Sequence, residues 1–130
     1  MVAGESVLLY NFSDGDRLRK LKMVFLRMGI RIRMISPDLY LQPVGALAHI
    51  KGIEPVADVY DGEGFSEEMM IMHGFTDRRL DELLRTLRKN NIARIDLKAV
   101  VTPQNMLWNS LELYQEIRKE HEAMAKGTPS

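Results

Sequence analysis

A chain of 130 residues with 45% hydrophobic and 28% charged side chains has the size and composition of one globular domain and falls outside the disordered class. It has no cysteine, which excludes disulfides, thiolate metal sites and thiol nucleophiles, and its zero formal net charge weighs against a general nucleic-acid binder. No run approaches the roughly 18 apolar residues of a membrane helix, and the first residues lack the basic, apolar, small-residue order of a signal peptide, so the expectation is a cytoplasmic protein.

The segment "SVLLYNF" is a continuous apolar run, the pattern of a strand covered on both faces. Leu18, Leu21, Phe25 and Met28 then recur on one helical face. Ser13 or Asp14 is suited to cap that helix, and Gly29 to end it. "IRIRMIS" alternates, with Arg31 and Arg33 on one side and Ile30, Ile32 and Met34 on the other, as in an outer strand. Ser36-Pro37 opens a second helix, which Pro43 and Gly45 must break or restart before Gly52. Residues 53–68 carry proline, glycine and six acidic residues and read as a loop, with a short extended piece around Val56 to Tyr60.

The second half follows the same grammar. "MMIMHGF" is a second apolar strand; Leu80, Leu83, Leu84 and Leu87 mark a helix; "IARIDLKAVV" alternates; Thr102-Pro103 opens a long last helix reaching about Ala125, and "GTPS" is a tail. The steps from Phe12 to Phe75 and from Ser36 to Thr102 are offset by 63 and 66 residues, the pattern of an internal repeat. The expected organisation is a single α/β domain over 1–130, with half one at 6–52, an acidic loop at 53–68, half two at 69–125 and a tail at 126–130.

Two βαβα halves point to a four-stranded, mainly parallel sheet with helices on both faces. The fully apolar strands belong at the centre and the alternating ones outside, which gives the order 2-1-3-4. Right-handed crossovers in an all-parallel sheet would put the first and fourth helices on one face and the second and third on the other. A ferredoxin-like arrangement with antiparallel strands leaves one face open and does not account for two doubly apolar strands.

This order has its switch point between strands one and three, where open α/β sheets bind ligands. The candidate ligand-binding residues are therefore Asn11, Ser13, Asp14, His73, Thr76 and Asp77, with Asn105 from the amide-rich "TPQNMLWNS" and residues 53–68 as a lid. Each has a plainer reading: Ser13, Asp14, Thr76 and Asp77 as helix caps, His73 as a hydrogen-bonded strand end. "SDGD" resembles an Asp-x-Asp magnesium loop but lacks an identifiable lysine partner. No glycine-rich phosphate fingerprint is present. Arg17, Lys20, Arg27, Arg31 and Arg33 could form a basic RNA surface, without the interleaved aromatics such surfaces use. Residues 54–68 hold six acids and no Lys or Arg, against seven basic and three acidic residues in 1–36, so the loop could fold over the basic face. His49 and His121 have no partner at metal-ligand spacing.

As a set, "LLYNFSD", "QPVGALAHIKGIEP", "GFTDRRLDELLRTLR", "RIDLKAVVTPQN" and "WNSLELYQEIRKEH" resemble an uncharacterised bacterial family, domain of unknown function 3783, from about Val7 to Met124. The resemblance implies a bacterial, cytosolic protein and supplies no catalytic residues. The functional expectation is a non-enzymatic binding or regulatory module without a cofactor or bound metal, whose partner is a small molecule or a protein rather than nucleic acid or membrane. The alternatives are an enzyme using Asp14, His73 and Asp77 with a divalent metal, and a homodimeric assembly protein.

Overall fold

The computed structural model of the chain describes residues 4–13 and 15–125; Asp14 and the tail at 126–130 lie outside the described residues. Strands β1 (Ser6–Tyr10), β2 (Arg31–Ile35), β3 (Met69–His73) and β4 (Leu97–Val100) form one sheet in the order β2-β1-β3-β4. Helices α1 (Asp16–Arg27), α2 (Val44–Leu47), α3 (Asp77–Lys89) and α4 (Ser110–Ala125) cover it on both sides. The expected strand order and α/β class are present. All but the first residue of β1 are buried, while β2 is mostly half-buried or exposed, as centre and edge positions require.

One relation differs. β1 runs parallel to β2 and β3 parallel to β4, but β1 and β3 are antiparallel, with Ser6 opposite His73 and Tyr10 opposite Met69. The cause lies in the connection from β2. A parallel β3 needs a crossover that carries the chain back along a sheet roughly 16 Å tall, and the four residues of α2 rise only about 6 Å. Pro43 and Gly45 break that segment, so the chain turns at the end where β2 finishes and re-enters the sheet from there.

The reversal also changes the helix layers. A half-turn in the plane of the sheet leaves its faces unchanged, so two right-handed βαβ units joined through an antiparallel pair carry their crossover helices on one face. The helices α1 and α3 accordingly share a core with Val7, Leu9, Met70 and Met72. On the other face Tyr40, Val44 and Leu47, with Leu113 and Ile117 of α4, pack on Leu8, Tyr10, Met69 and Ile71. The pairing of the first helix with the fourth expected for an all-parallel sheet is therefore incorrect.

The last helix begins later than Thr102-Pro103 suggests. Asn109 accepts from the Glu112 N–H at 2.9 Å while Glu112 accepts from the Asn109 N–H at 2.9 Å, a reciprocal box that starts α4 at Ser110. The buried Ser110 hydroxyl bonds the Tyr10 hydroxyl at 2.6 Å and ties this helix to β1.

Residues 53–68 form no strand and are mostly exposed, fastened to the core by one buried side chain. Phe65 is buried, with its ring centroid 3.9 Å from Tyr114 and 5.0 Å from Tyr40, stacked on both. Gln42 brackets Val56 through both its backbone N–H and its carbonyl, at 2.8 and 2.7 Å. The acidic loop does not close over a basic face: Glu68 pairs with Arg17 and Glu67 with Arg118, while Glu54, Asp58, Asp61 and Glu63 stay exposed.

Candidate functional site

Because β1 and β3 are antiparallel, Asn11 and Ser13 follow the end of β1 that lies beside Met69, and His73 stands at the opposite end of the sheet beside Ser6. The crevice expected between Asn11 to Asp14 and His73 to Asp77 is not formed, and the loop at 53–68 cannot be its lid. Asp14, the first member of the expected Asp14, His73 and Asp77 metal constellation, lies outside the described residues. Among the described residues no group of three His, Asp or Glu side chains could hold a metal ion.

Most of the other candidates hold the fold. Asn11, at a positive φ of 65°, donates its amide to the carbonyls of Phe65 at 2.8 Å and Glu67 at 2.9 Å and fastens the acidic loop to β1. Thr76 caps α3 by accepting from the Arg79 N–H at 3.1 Å, and Asp77 is exposed in the first turn of that helix. Asn105 is buried. It accepts from the Thr102 N–H at 2.8 Å, donates to the Val100 carbonyl at 3.0 Å and gives its own N–H to the Thr102 hydroxyl. Ser13 is exposed.

His73 is the exception, because it lines a cavity of about 240 Å³. The register puts His73, Ser6 and Arg31 in one row across β3, β1 and β2 on the same face. With strands spaced about 4.8 Å apart, the ends of that row are roughly 10 Å from each other. Arg33, two residues further along β2, also faces this side, and Leu47, Ala48 and His49 form the roof. The cavity exists because α2 is too short to cover this end of the sheet.

The lining is cationic. Arg31, Arg33, His49 and His73 meet there, and among the described residues no carboxylate lines the cavity. Glu5, the neighbouring acid, reaches the other face, where the Arg79 guanidinium grips it at 2.7 and 2.6 Å. Arg33 donates to the Leu47 carbonyl at 2.8 Å and lies 3.2 Å from His49 Nε2. Burial lowers the His73 pKa from its ordinary value of 6.5, with no carboxylate to oppose it. The Ser6 hydroxyl is shut away from solvent and has no hydrogen-bond partner among the described residues.

His49 itself sits in a costly conformation. Three helix ends close alike: the N–H of Ile30, Ile50 and Ile92 reaches back to the carbonyl of Phe25, Gly45 and Leu87, across Gly29, His49 and Asn91 at positive φ. Glycine and asparagine are ordinary at that position, whereas histidine is less so. No role was expected for His49 from its spacing. The recurrent step of such a residue followed by isoleucine was the available signal.

Arg31 and Arg33 share a face, as their alternation indicates, but the sheet separates them from Arg17, Lys20 and Arg27 on or beside α1. The five do not form one RNA surface.

Residues 68–124 match the family model described as Domain of unknown function (DUF3783). The matched segment, under half of the chain, is similar to DUF3783. It starts just before β3 and runs almost to the end of α4, so β1 and β2 lie outside the match, which is narrower than the resemblance from Val7. Of the cavity lining, only His73 lies inside the matched segment. No curated protein and no solved structure matches the chain. Among the described residues no helix is long and apolar enough to cross a membrane.

Proposed function

We propose that this protein is a non-enzymatic binding module whose ligand is a small inorganic or carboxylate anion, received at the cavity between His73, Arg31 and Arg33. The observation that carries the reading is the lining: two arginines and two histidines converge on a hollow in which, among the described residues, there is no carboxylate. Arg33 is half-buried and Arg31 exposed, and a compact anion seated between them would accept charge-assisted hydrogen bonds from both guanidinium groups. The cavity volume of about 240 Å³ lies below the ~300–1,000 Å³ of sites for larger organic ligands, which favours a compact one.

Isothermal titration calorimetry with sulfate, phosphate and small carboxylates, at constant ionic strength against chloride, tests this directly. Saturable binding is expected in the wild type and a loss of at least about ten-fold in Arg31→Gln with Arg33→Gln, as removing charge-assisted partners demands. Equal heats for sulfate and chloride, or unchanged affinity in the double variant, overturns the reading.

A further inference from the structure

A second hollow lies on the opposite face, wholly within the matched segment. Among the described residues only α1 and α3 cover that face of a four-stranded sheet, and α3 packs on Met70 and Met72 of β3. The chain turns at Asn91 and enters β4 at Leu97, so among the described residues no helix lies over the side of β4 carrying Lys98. The result is a cavity of about 410 Å³, within the ~300–1,000 Å³ of small-molecule sites.

Its floor is apolar: Met70, Leu84, Leu87, Ile92 and Ile95 line it, and all but the half-buried Leu84 are core residues. Its rim is cationic, formed by Arg88, Arg94 and Lys98. These three charges are unequally answered. Arg94 has Asp96 at 3.7 Å. Arg88, in the last turn of α3, offsets the negative end of that helix's dipole. Lys98 is not on a helix. It is half-buried, and its ammonium donates to the Ile95 carbonyl at 2.8 Å, with no carboxylate of the described residues in hydrogen-bond reach. Burial, and then the Arg94 charge, lower its pKa, and Asp96 opposes this more weakly.

We infer that this hollow binds an amphiphilic monoanion, a carboxylate on a short hydrocarbon body, with the carboxylate at Lys98 and the hydrocarbon on the Leu84 and Leu87 floor. A neutral apolar molecule would fill the floor and leave the Lys98 charge beside it unbalanced. A bare anion would answer Lys98 and leave the floor wet. Only a molecule with both parts satisfies both surfaces.

Calorimetric titration with octanoate below its micellar range, with octanol and acetate as controls, separates these cases. Octanoate is expected to bind one to one, with octanol and acetate at least about ten-fold weaker. Lys98→Gln should weaken octanoate by at least about ten-fold, Lys98→Arg should hold it within about three-fold, and Ser6→Ala should leave it unchanged. The arginine variant keeps the charge test valid where the glutamine variant fails to fold. No saturable octanoate binding to the wild type, octanol binding as tightly as octanoate, or unchanged affinity in folded Lys98→Gln overturns the inference, and none of these results bears on the His73 cavity.

Discussion

Replacing Ser6 by alanine should make the protein more stable. The Ser6 hydroxyl is a donor and an acceptor enclosed between β2 and β3 with no partner for either. Leaving such a group buried and unpaired costs about 1–3 kcal/mol. Alanine removes the cost, deletes one oxygen and no carbon, and loses no contact that Ser6 makes through its hydroxyl. Taking the low end, the expected gain is about 1 kcal/mol, which at an m-value of about 2 kcal/mol/M moves the urea midpoint up by roughly 0.5 M, and the thermal midpoint by roughly 3–6 °C. Urea unfolding followed by circular dichroism at pH 7.5, in chloride, is the measurement, and the slope should be unchanged. The oxygen is shut away from solvent, so sulfate affinity should stay within about two-fold of wild type. A fall in the midpoint would refute the orphan-hydroxyl argument, and a ten-fold loss of sulfate affinity would show that the hydroxyl touches the ligand.

Phe65→Ala should cost about 3–5 kcal/mol, since it empties a buried site stacked between Tyr40 and Tyr114. Limited proteolysis should then cut within 53–68, and a loop as resistant as in wild type contradicts the anchoring role. His49→Gly should gain up to about 1 kcal/mol by relieving the positive φ of 62° while weakening sulfate binding; a lower thermal midpoint sinks that expectation. For His73 the folded pKa is below the unfolded one, so the unfolded chain binds protons more readily between the two values. Its contribution to stability is present above about pH 6.5 and is lost as pH falls through the folded pKa. Arg31, Arg33 and His49 face it across the cavity with no acid, so sulfate, whose charge is fixed in this range, should bind more tightly as pH falls from 7 to 5.5. His73→Gln should flatten both profiles, and an unchanged pH slope in that variant contradicts the assignment.

The strands, most of the helices and the strand order are legible in local pattern. "VLLY" and "MMIM" carry no polar residue and go to the centre; "IRIRMI" alternates and goes to an edge. Capping chemistry is local at Thr76, whereas α1 starts after Gly15 without a side-chain cap and not from the expected Ser13 or Asp14. Two local signals were harder to weigh: Thr102-Pro103 imitates a helix start, while the reciprocal box at Asn109 and Glu112 is the one that sets it. His49 hides its role because histidine is an uncommon residue at a left-handed helix end.

The direction of β3 is a different matter. Side chains alternate with a period of two whichever way a strand runs, so "MMIMH" reads the same up or down the sheet. Only the reach of the connection from β2 decides it, and that depends on how far α2 propagates and how Phe65 and Tyr60 pack beneath Tyr40. From that direction the rest follows: which helices share a face, which strand ends are neighbours, and that His73 meets Ser6 and Arg31 rather than Asn11. Sequence by itself determined the pieces and their lateral order, because burial acts on each segment separately. Tertiary structure alone decided the site, because a row of side chains across three strands exists only once direction and register are set.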